Sequence, residues 1–203
     1  ASIAVWARQK YPNVIDGAWG SSALLNAIVE DVDFLPNVYR TITQVGGAEC
    51  GQVITDAFRM IEDAFEAGNT SYVEQRLNTC GPIDVGNGYD LARLTYNIAF
   101  DIGYGFLKDS TYPEIDEKCI IMRGLDTPGN PPSDALDAFA RWYIDDFHFT
   151  RGTQCVTTNY EPQVRYFQDP RWGGYSTRYG IRQRHWLYCS QLGQTRVANN
   201  GQG

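Results

Sequence analysis

Apolar residues recur along this chain at helical spacing for most of its length. Ile3, Ala4, Ala7 and Tyr11 share one face of the first stretch, with Trp6 beside them and Arg8, Gln9 and Lys10 opposite, which predicts a helix over 3–11. Pro12 and Asn13 end it, because proline lacks the amide a helix uses and disfavours helix in the residue before it. Val14 and Ile15 open a short apolar run through Gly17, Ala18 and Trp19 to Ser21, Ser22 and Ala23. Its small residues predict a buried strand, extended over 14–18, whose backbone approaches a neighbour closely. Helix, tight break and buried strand form the repeating unit of an α/β sheet. Without a sheet beside it, the apolar surface around Val14, Trp19 and Leu24 is expected to stay exposed and to draw in a partner chain or a swapped homodimer.

Residues 26–49 read as a connector. Asp31, Asp33 and Pro36 oppose a helix, Val38 to Val45 alternates partly like a short strand, and Gly46-Gly47 signals a turn. From Cys50 onward Val53, Ile54, Ala57, Phe58, Ile61, Ala64 and Phe65 form one amphipathic stripe, with Gly68 where a helix commonly ends. Ser71 is expected to cap a short helix over 72–77. A third helix over 89–107 carries Leu91, Leu94, Ile98, Ile102 and Phe106 on one side, with Gly103 and Gly105 weakening its end. A fourth, over 114–123, places acids first and a base last, as the helix dipole favours. Pro128 to Pro132 is a loop. Ser133 is expected to cap a fifth helix whose stripe is Leu136, Phe139, Ala140, Tyr143, Ile144 and Phe147. Beyond Arg151 the spacing of Pro162, Pro170, Gly173-Gly174 and Gly180 predicts loops.

A mainly α chain with one helix-strand fragment at its start is therefore expected. Its 203 residues allow one or two compact domains. The 17 basic and 24 acidic residues leave a net charge of −7, which argues against a nucleic-acid partner, since that needs clustered Lys and Arg. No stretch approaches the ~18 apolar residues of a membrane span, so no membrane role is expected. The five cysteines, Cys50, Cys80, Cys119, Cys155 and Cys189, have no Cys-x-x-Cys spacing, and an odd number leaves one without an internal partner. Asn69-Thr70-Ser71 is an N-glycosylation sequon. Together with dispersed cysteines it points to a secreted or lysosomal protein.

Candidate chemistry is sparse. There are two histidines, and neither has the Gly-x-Ser-x-Gly nucleophile turn that would make it a triad base. His148 ends the fifth helix, where a cation suits the dipole, and it reads as a capping or surface residue. Asp31 with Asp33, and Asp145 with Asp146, are acidic pairs without a third ligand at metal spacing, so no metal is expected, and no cofactor. Gly103-Tyr104-Gly105 lacks the strand and the lysine of a phosphate loop. The aromatic stripe Phe139, Tyr143, Phe147 reads as core.

Two motifs carry a resemblance. Ile3-Ala4-Val5-Trp6-Ala7-Arg8-Gln9-Lys10-Tyr11-Pro12, followed by Gly17-Ala18-Trp19-Gly20-Ser21-Ser22-Ala23, is similar to the segment that follows the nucleophile elbow in the prolyl carboxypeptidase, dipeptidyl peptidase II and thymus-specific serine peptidase family. Arg184-His185-Trp186-Leu187-Tyr188-Cys189-Ser190-Gln191-Leu192-Gly193 resembles that family's R-x-W-x-W/Y-Q-x-C-T-E-x-G. The chain lacks the two residues usual between the aromatic and the cysteine, and Gln191 stands where the family has a glutamate, which removes a charge near the substrate cleft.

The resemblance implies a helical cap inserted in an α/β-hydrolase fold. Residues 1–25 would be a remnant of the hydrolase core, 26–183 the cap, and 184–203 the return toward the core. It places the nucleophilic serine just before Ala1 and the Asp/His pair after Gly203, so the catalytic triad is expected outside these residues. The implied function is a serine-type exopeptidase cleaving after proline, with the cap shaping the pocket through Ser2, His185, Trp186, Gln191 and Leu192. Leu187 replaces the aspartate of the dipeptidyl peptidase branch and favours carboxypeptidase-like action. The other reading is a non-catalytic binding module derived from such a peptidase. The implied partners are a proline-containing peptide and the rest of the hydrolase fold or a second chain. The implied disulfides are Cys50–Cys119 and Cys80–Cys155, with Cys189 bonding outside the chain. Each loop would contribute about 4 kcal/mol in the chain-entropy account.

Overall fold

The computed structural model describes residues 1–21, 23, 25–26, 28–108, 112–151, 154–193 and 195–196, and for 104, 107–108, 112–113, 146–151, 175–176 and 195–196 the backbone alone. Two compact units result: one from 1–32 with the described residues after Gln168, the other from 33–168.

The larger unit carries α2 (Phe34–Gly46), α3 (Ala48–Glu66), α4 (Ser71–Leu77), α5 (Gly88–Lys108), α6 (Tyr112–Met122), α7 (Ala135–Arg151) and α8 (Glu161–Gln168). Helices α3 and α7 form its centre, with α2 against α3, α5 and α6, and with α4 and α6 against α7. The stripes at three and four residues meet there. Ile54, Ala57 and Ile61 of α3, Leu94, Ile98 and Phe106 of α5, and Leu136, Phe139 and Tyr143 of α7 are all buried in one core. Phe139 stacks on Tyr143 at 5.3 Å and meets Phe58 edge-on at 6.1 Å. Buried Lys118 is held by donation to the Gly105 carbonyl at 2.6 Å, with its ammonium 5.4 Å from the Phe106 ring.

Two disulfides staple this unit, Cys50 of α3 to Cys119 of α6 and Cys80 after α4 to Cys155 after α7. They are the two pairs that the resemblance implies. A parallel bridge between Thr79 and Val156 runs beside the second, with Cys80 N–H donating to Val156 at 2.9 Å and Val156 N–H to Asn78 at 2.9 Å.

Several expectations change. The connector over 26–49, with its strand-like 38–45, is the helix α2. Pro36 sits in its first turn, where the missing amide has no helical partner to lose, and the β-branched Val38 and Ile42 face the core of the unit. Gly103 lies inside α5, where a Cβ would come 2.6 Å from Phe34, so this glycine admits the start of α2 against α5. Ser71 is the first residue of α4 and Thr70 the residue before it, without a side-chain cap. At α7 the capping oxygen is Asp134 Oδ1, which accepts from Asp137 N–H at 2.8 Å, while Ser133 N–H donates to Asp137 Oδ2 at 2.9 Å. The loops predicted after Arg151 include α8, and in the smaller unit α9 (Tyr175–Arg178) and α10 (Ile181–Leu187). Pro162 is the second residue of α8, again in a first turn.

The smaller unit holds α1 (Ser2–Lys10), α9, α10, a π-helical turn (Tyr188–Leu192) and a two-residue parallel pair, β1 (Glu30–Asp31) with β2 (Thr195–Arg196). The predicted buried strand over 14–18 does not form. Val14 and Ile15 close a turn on the Tyr11 carbonyl, and the residues after it pair with no strand among the described residues. Val14 is 81% and Trp19 90% exposed. Ser22 and Leu24 lie outside the described residues. No described residue of this unit is fully buried.

Candidate functional site

The sequence places four of its five pocket residues on one continuous stretch, and the structure keeps them there. Gly180, at φ +67, allows the chain to turn into α10, and Arg184 N–H closes on its carbonyl at 2.9 Å. After Leu187 the helix widens into a π turn, closed by Gly193 N–H on the Tyr188 carbonyl at 2.8 Å. Single π turns commonly mark functional positions, because the extra residue re-aims the side chains around it. His185 and Trp186 sit on the α side of this junction, and Cys189, Gln191 and Leu192 on the π side. Trp186 is 61% exposed, Cys189 is a free exposed thiol, and Gln191 is exposed. Ser2, the fifth residue, begins α1, and its side chain makes none of the described hydrogen bonds.

The electrostatics of the stretch are mild. Desolvation of the imidazole, then the charge of Arg184, hold His185 below its ordinary pKa, which favours the uncharged ring. Ser190 Oγ donates to the Trp186 carbonyl at 2.6 Å, which ties it to the helix and takes it out of contention as a nucleophile. An imidazole, an exposed indole and a primary amide make a surface for apolar contact and hydrogen bonding, without a nucleophile and base in register. The loop leading here is held by Asp169, which accepts from Arg171 Nε at 2.8 Å and Arg171 N–H at 3.1 Å, and whose pKa these bonds bring down to about 2.

A second location was not legible in the sequence. In the larger unit an open cleft of about 830 Å³ lies between α4, the end of α6, the 126–133 loop and α7. Asp137 lines it. It accepts from Ser133 N–H, and Arg141 Nη2 and Arg76 Nη1 each stand 3.3 Å from one of its oxygens. Arg141 also donates to the carbonyls of Asn130 at 2.6 Å and Pro131 at 3.3 Å, clamping the loop. Burial pushes the Asp137 pKa up, but the Ser133 amide and then Arg76 and Arg141 outweigh it and leave the carboxyl below its ordinary value. Asp137 and Arg141 stand four apart on α7, and Ser133 lies just before that helix. Arg76, which joins them from α4, had no local signal. Asp145 lines the cleft, while the side chains of Asp146 and His148 lie outside those described. Among the described residues no group of three His, Cys, Asp or Glu side chains could hold a metal, and no helix is long and apolar enough to cross a membrane.

The model of the serine carboxypeptidase S28 family matches residues 1–203. The chain belongs to the serine carboxypeptidase S28 family. Thymus-specific serine protease of Mus musculus is 35% identical over 89 residues, which is 41% of this chain and 18% of the mouse protein. The Homo sapiens protein of the same name is 32% identical over 87 residues, 40% of this chain and 17% of its own length. The match thus spans less than a fifth of the curated relatives. No solved structure matches the chain. S28 membership explains why both terminal motifs occur in one chain in this order, and it is a family of serine peptidases.

Proposed function

We propose that these residues form the helical cap, inserted in an α/β-hydrolase fold, of a serine exopeptidase that releases residues following proline. The observation that carries this reading is the S28 match across the whole chain. The exposed His185-Trp186 stretch supports it. A wide apolar ring beside an imidazole and an amide suits the compact apolar ring and the carbonyl of a prolyl residue, and a cap over a hydrolase site excludes water there. Leu187 supports carboxypeptidase-like action, because no carboxylate stands beside Trp186 to bind a substrate amino terminus.

No Gly-x-Ser-x-Gly occurs in residues 1–203, and the peptidase reading takes its triad from residues outside them. The hydrolase core would also cover the apolar surface of the smaller unit, and would hold the partner of Cys189. The two disulfides support a secreted or lysosomal protein, since such bonds persist in oxidising compartments.

The test uses the full-length gene product and peptides ending in Pro-X. Release of X, together with labelling by a fluorophosphonate, is the expected result. Trp186→Ala and Gln191→Ala should raise KM more than they lower kcat, as loss of uniform binding does. A full-length protein that binds proline peptides but neither labels nor cleaves would be the non-catalytic binding module instead.

A further inference from the structure

The α3–α4 corner of the larger unit bears a feature that the peptidase reading does not use. Helix α3 ends at Glu66, and the chain reverses through Gly68 at φ +64, with Gly68 N–H on the Phe65 carbonyl at 3.1 Å and Asn69 N–H on the Ala64 carbonyl at 3.0 Å. This pins the backbone at Asn69. The side chain is the opposite case. Asn69 is exposed, and its amide makes no hydrogen bond to any described residue. Thr70 between is not proline, and its hydroxyl is engaged elsewhere, donating to Glu74 Oε1 at 2.8 Å. Ser71, the hydroxyl residue two positions on, is exposed and likewise unbonded through its side chain. No other Asn-x-Ser/Thr triplet occurs in the chain.

We infer that Asn69 carries an N-linked oligosaccharide, the only one in residues 1–203. In the transfer Asn69 Nδ2 attacks C1 of the first sugar of a lipid-pyrophosphate-linked oligosaccharide. The N–C bond forms, the C1–O bond to phosphate breaks, the lipid pyrophosphate leaves with the bonding pair, and Nδ2 gives up one proton. Three observations converge. The acceptor amide is free and solvated. The site sits on a reverse turn whose Gly68, Asn69 and Ser71 are exposed. The chain holds two disulfides, which supports passage through the compartments where such transfer occurs. Bonds that hold the corner, from the Thr70 hydroxyl and from Ile83 N–H to Glu74 Oε1, involve no atom of the Asn69 side chain and survive the modification.

This inference rests on the secretory part of the proposed function and is independent of its peptidase part. The full-length protein would be expressed in a secretory eukaryotic host and digested with peptide-N-glycosidase in heavy-oxygen water. The expected result is a mass loss of one oligosaccharide and a heavy-oxygen aspartate at position 69. Asn69→Gln and Ser71→Ala should each abolish the shift, and Ser71→Thr should keep it. Wild-type protein recovered with both disulfides formed and an unmodified Asn69 would overturn the inference, whether or not the variants fold. Cleavage of Pro-X peptides by protein bare at Asn69 would leave the peptidase reading intact while removing this one.

Discussion

Asp137 shows how a single side chain acquires its role from partners far along the chain. It is the third residue of α7, and by sequence alone it is an acid in the first turn favoured by the helix dipole. In the structure it is 8% exposed and serves Ser133, Arg141 and Arg76 at once. Asp137→Asn keeps the shape and removes the charge those donors need. It should cost about 1.5–3 kcal/mol, read from the urea midpoint of the oxidised protein. The sign with pH follows from the lowered pKa. The stabilisation is fully present above the ordinary carboxylate value of about 3.9. It fades as pH falls through the lower folded value. The gap between wild type and Asp137→Asn should therefore be constant near neutrality and close in strong acid. A gap that persisted at acid pH would mean that the neutral hydrogen bonds, rather than the charge, hold the cluster.

At the scale of elements, α2 is the instructive case. Its β-branched residues and Pro36 made 26–49 look like a connector with a short strand over 38–45. The helix forms because its Val38–Ile42 face is buried, and burial of that face outweighs a propensity difference of a few tenths of a kcal/mol per residue. What lets α2 approach so closely is Gly46, buried where a Cβ would fall inside the van der Waals shell of Cys119 Sγ and 3.4 Å from Cys50 Cβ. Gly46→Ala should thus act on the disulfide itself. The expected outcome is a loss between about 1–3 kcal/mol for overpacking and about 4 kcal/mol if the Cys50–Cys119 bond cannot close. Thiol titration of the denatured variant separates the two. Unchanged stability with no extra free thiol would show that α2 and α6 can move apart at no cost.

At the scale of the whole chain, the two units differ in kind. Residues 33–168 contain every fully buried apolar residue described, from Val38 to Val156, and both disulfides. The unit built from the two ends of the chain has none, and exposes Ile3, Val14, Trp19, Trp172 and Trp186. A polypeptide of 33–168, refolded oxidatively, should give a cooperative thermal transition, measured by circular dichroism, that weakens sharply on reduction of two loops each worth about 4 kcal/mol. The whole 1–203 chain should associate with itself, because exposed patches of this kind drive association. A monodisperse 1–203 monomer by light scattering, or a 33–168 polypeptide with no cooperative transition, would contradict this division.

How much was legible in the sequence follows from range. The stripes of α3, α5 and α7 were readable because a helix is written at three- and four-residue spacing, and the same residues that repeat are the ones buried. The two terminal motifs were readable because they are contiguous, and they led to the S28 family. The disulfide pairing came through that resemblance and not from spacing, since five cysteines alone allow many maps. What the sequence could not decide was set by contacts between residues distant along the chain. Whether 38–45 is strand or helix depends on which faces α3, α5 and α6 offer it. Whether 14–18 becomes a strand depends on a neighbour to share its hydrogen bonds, and none stands beside it among the described residues. Arg76 meets Asp137 across 61 positions only because α4 packs on α7. Local pattern determines which face of an element is apolar, and tertiary structure decides what that face meets, because the energy of burial belongs to the pair.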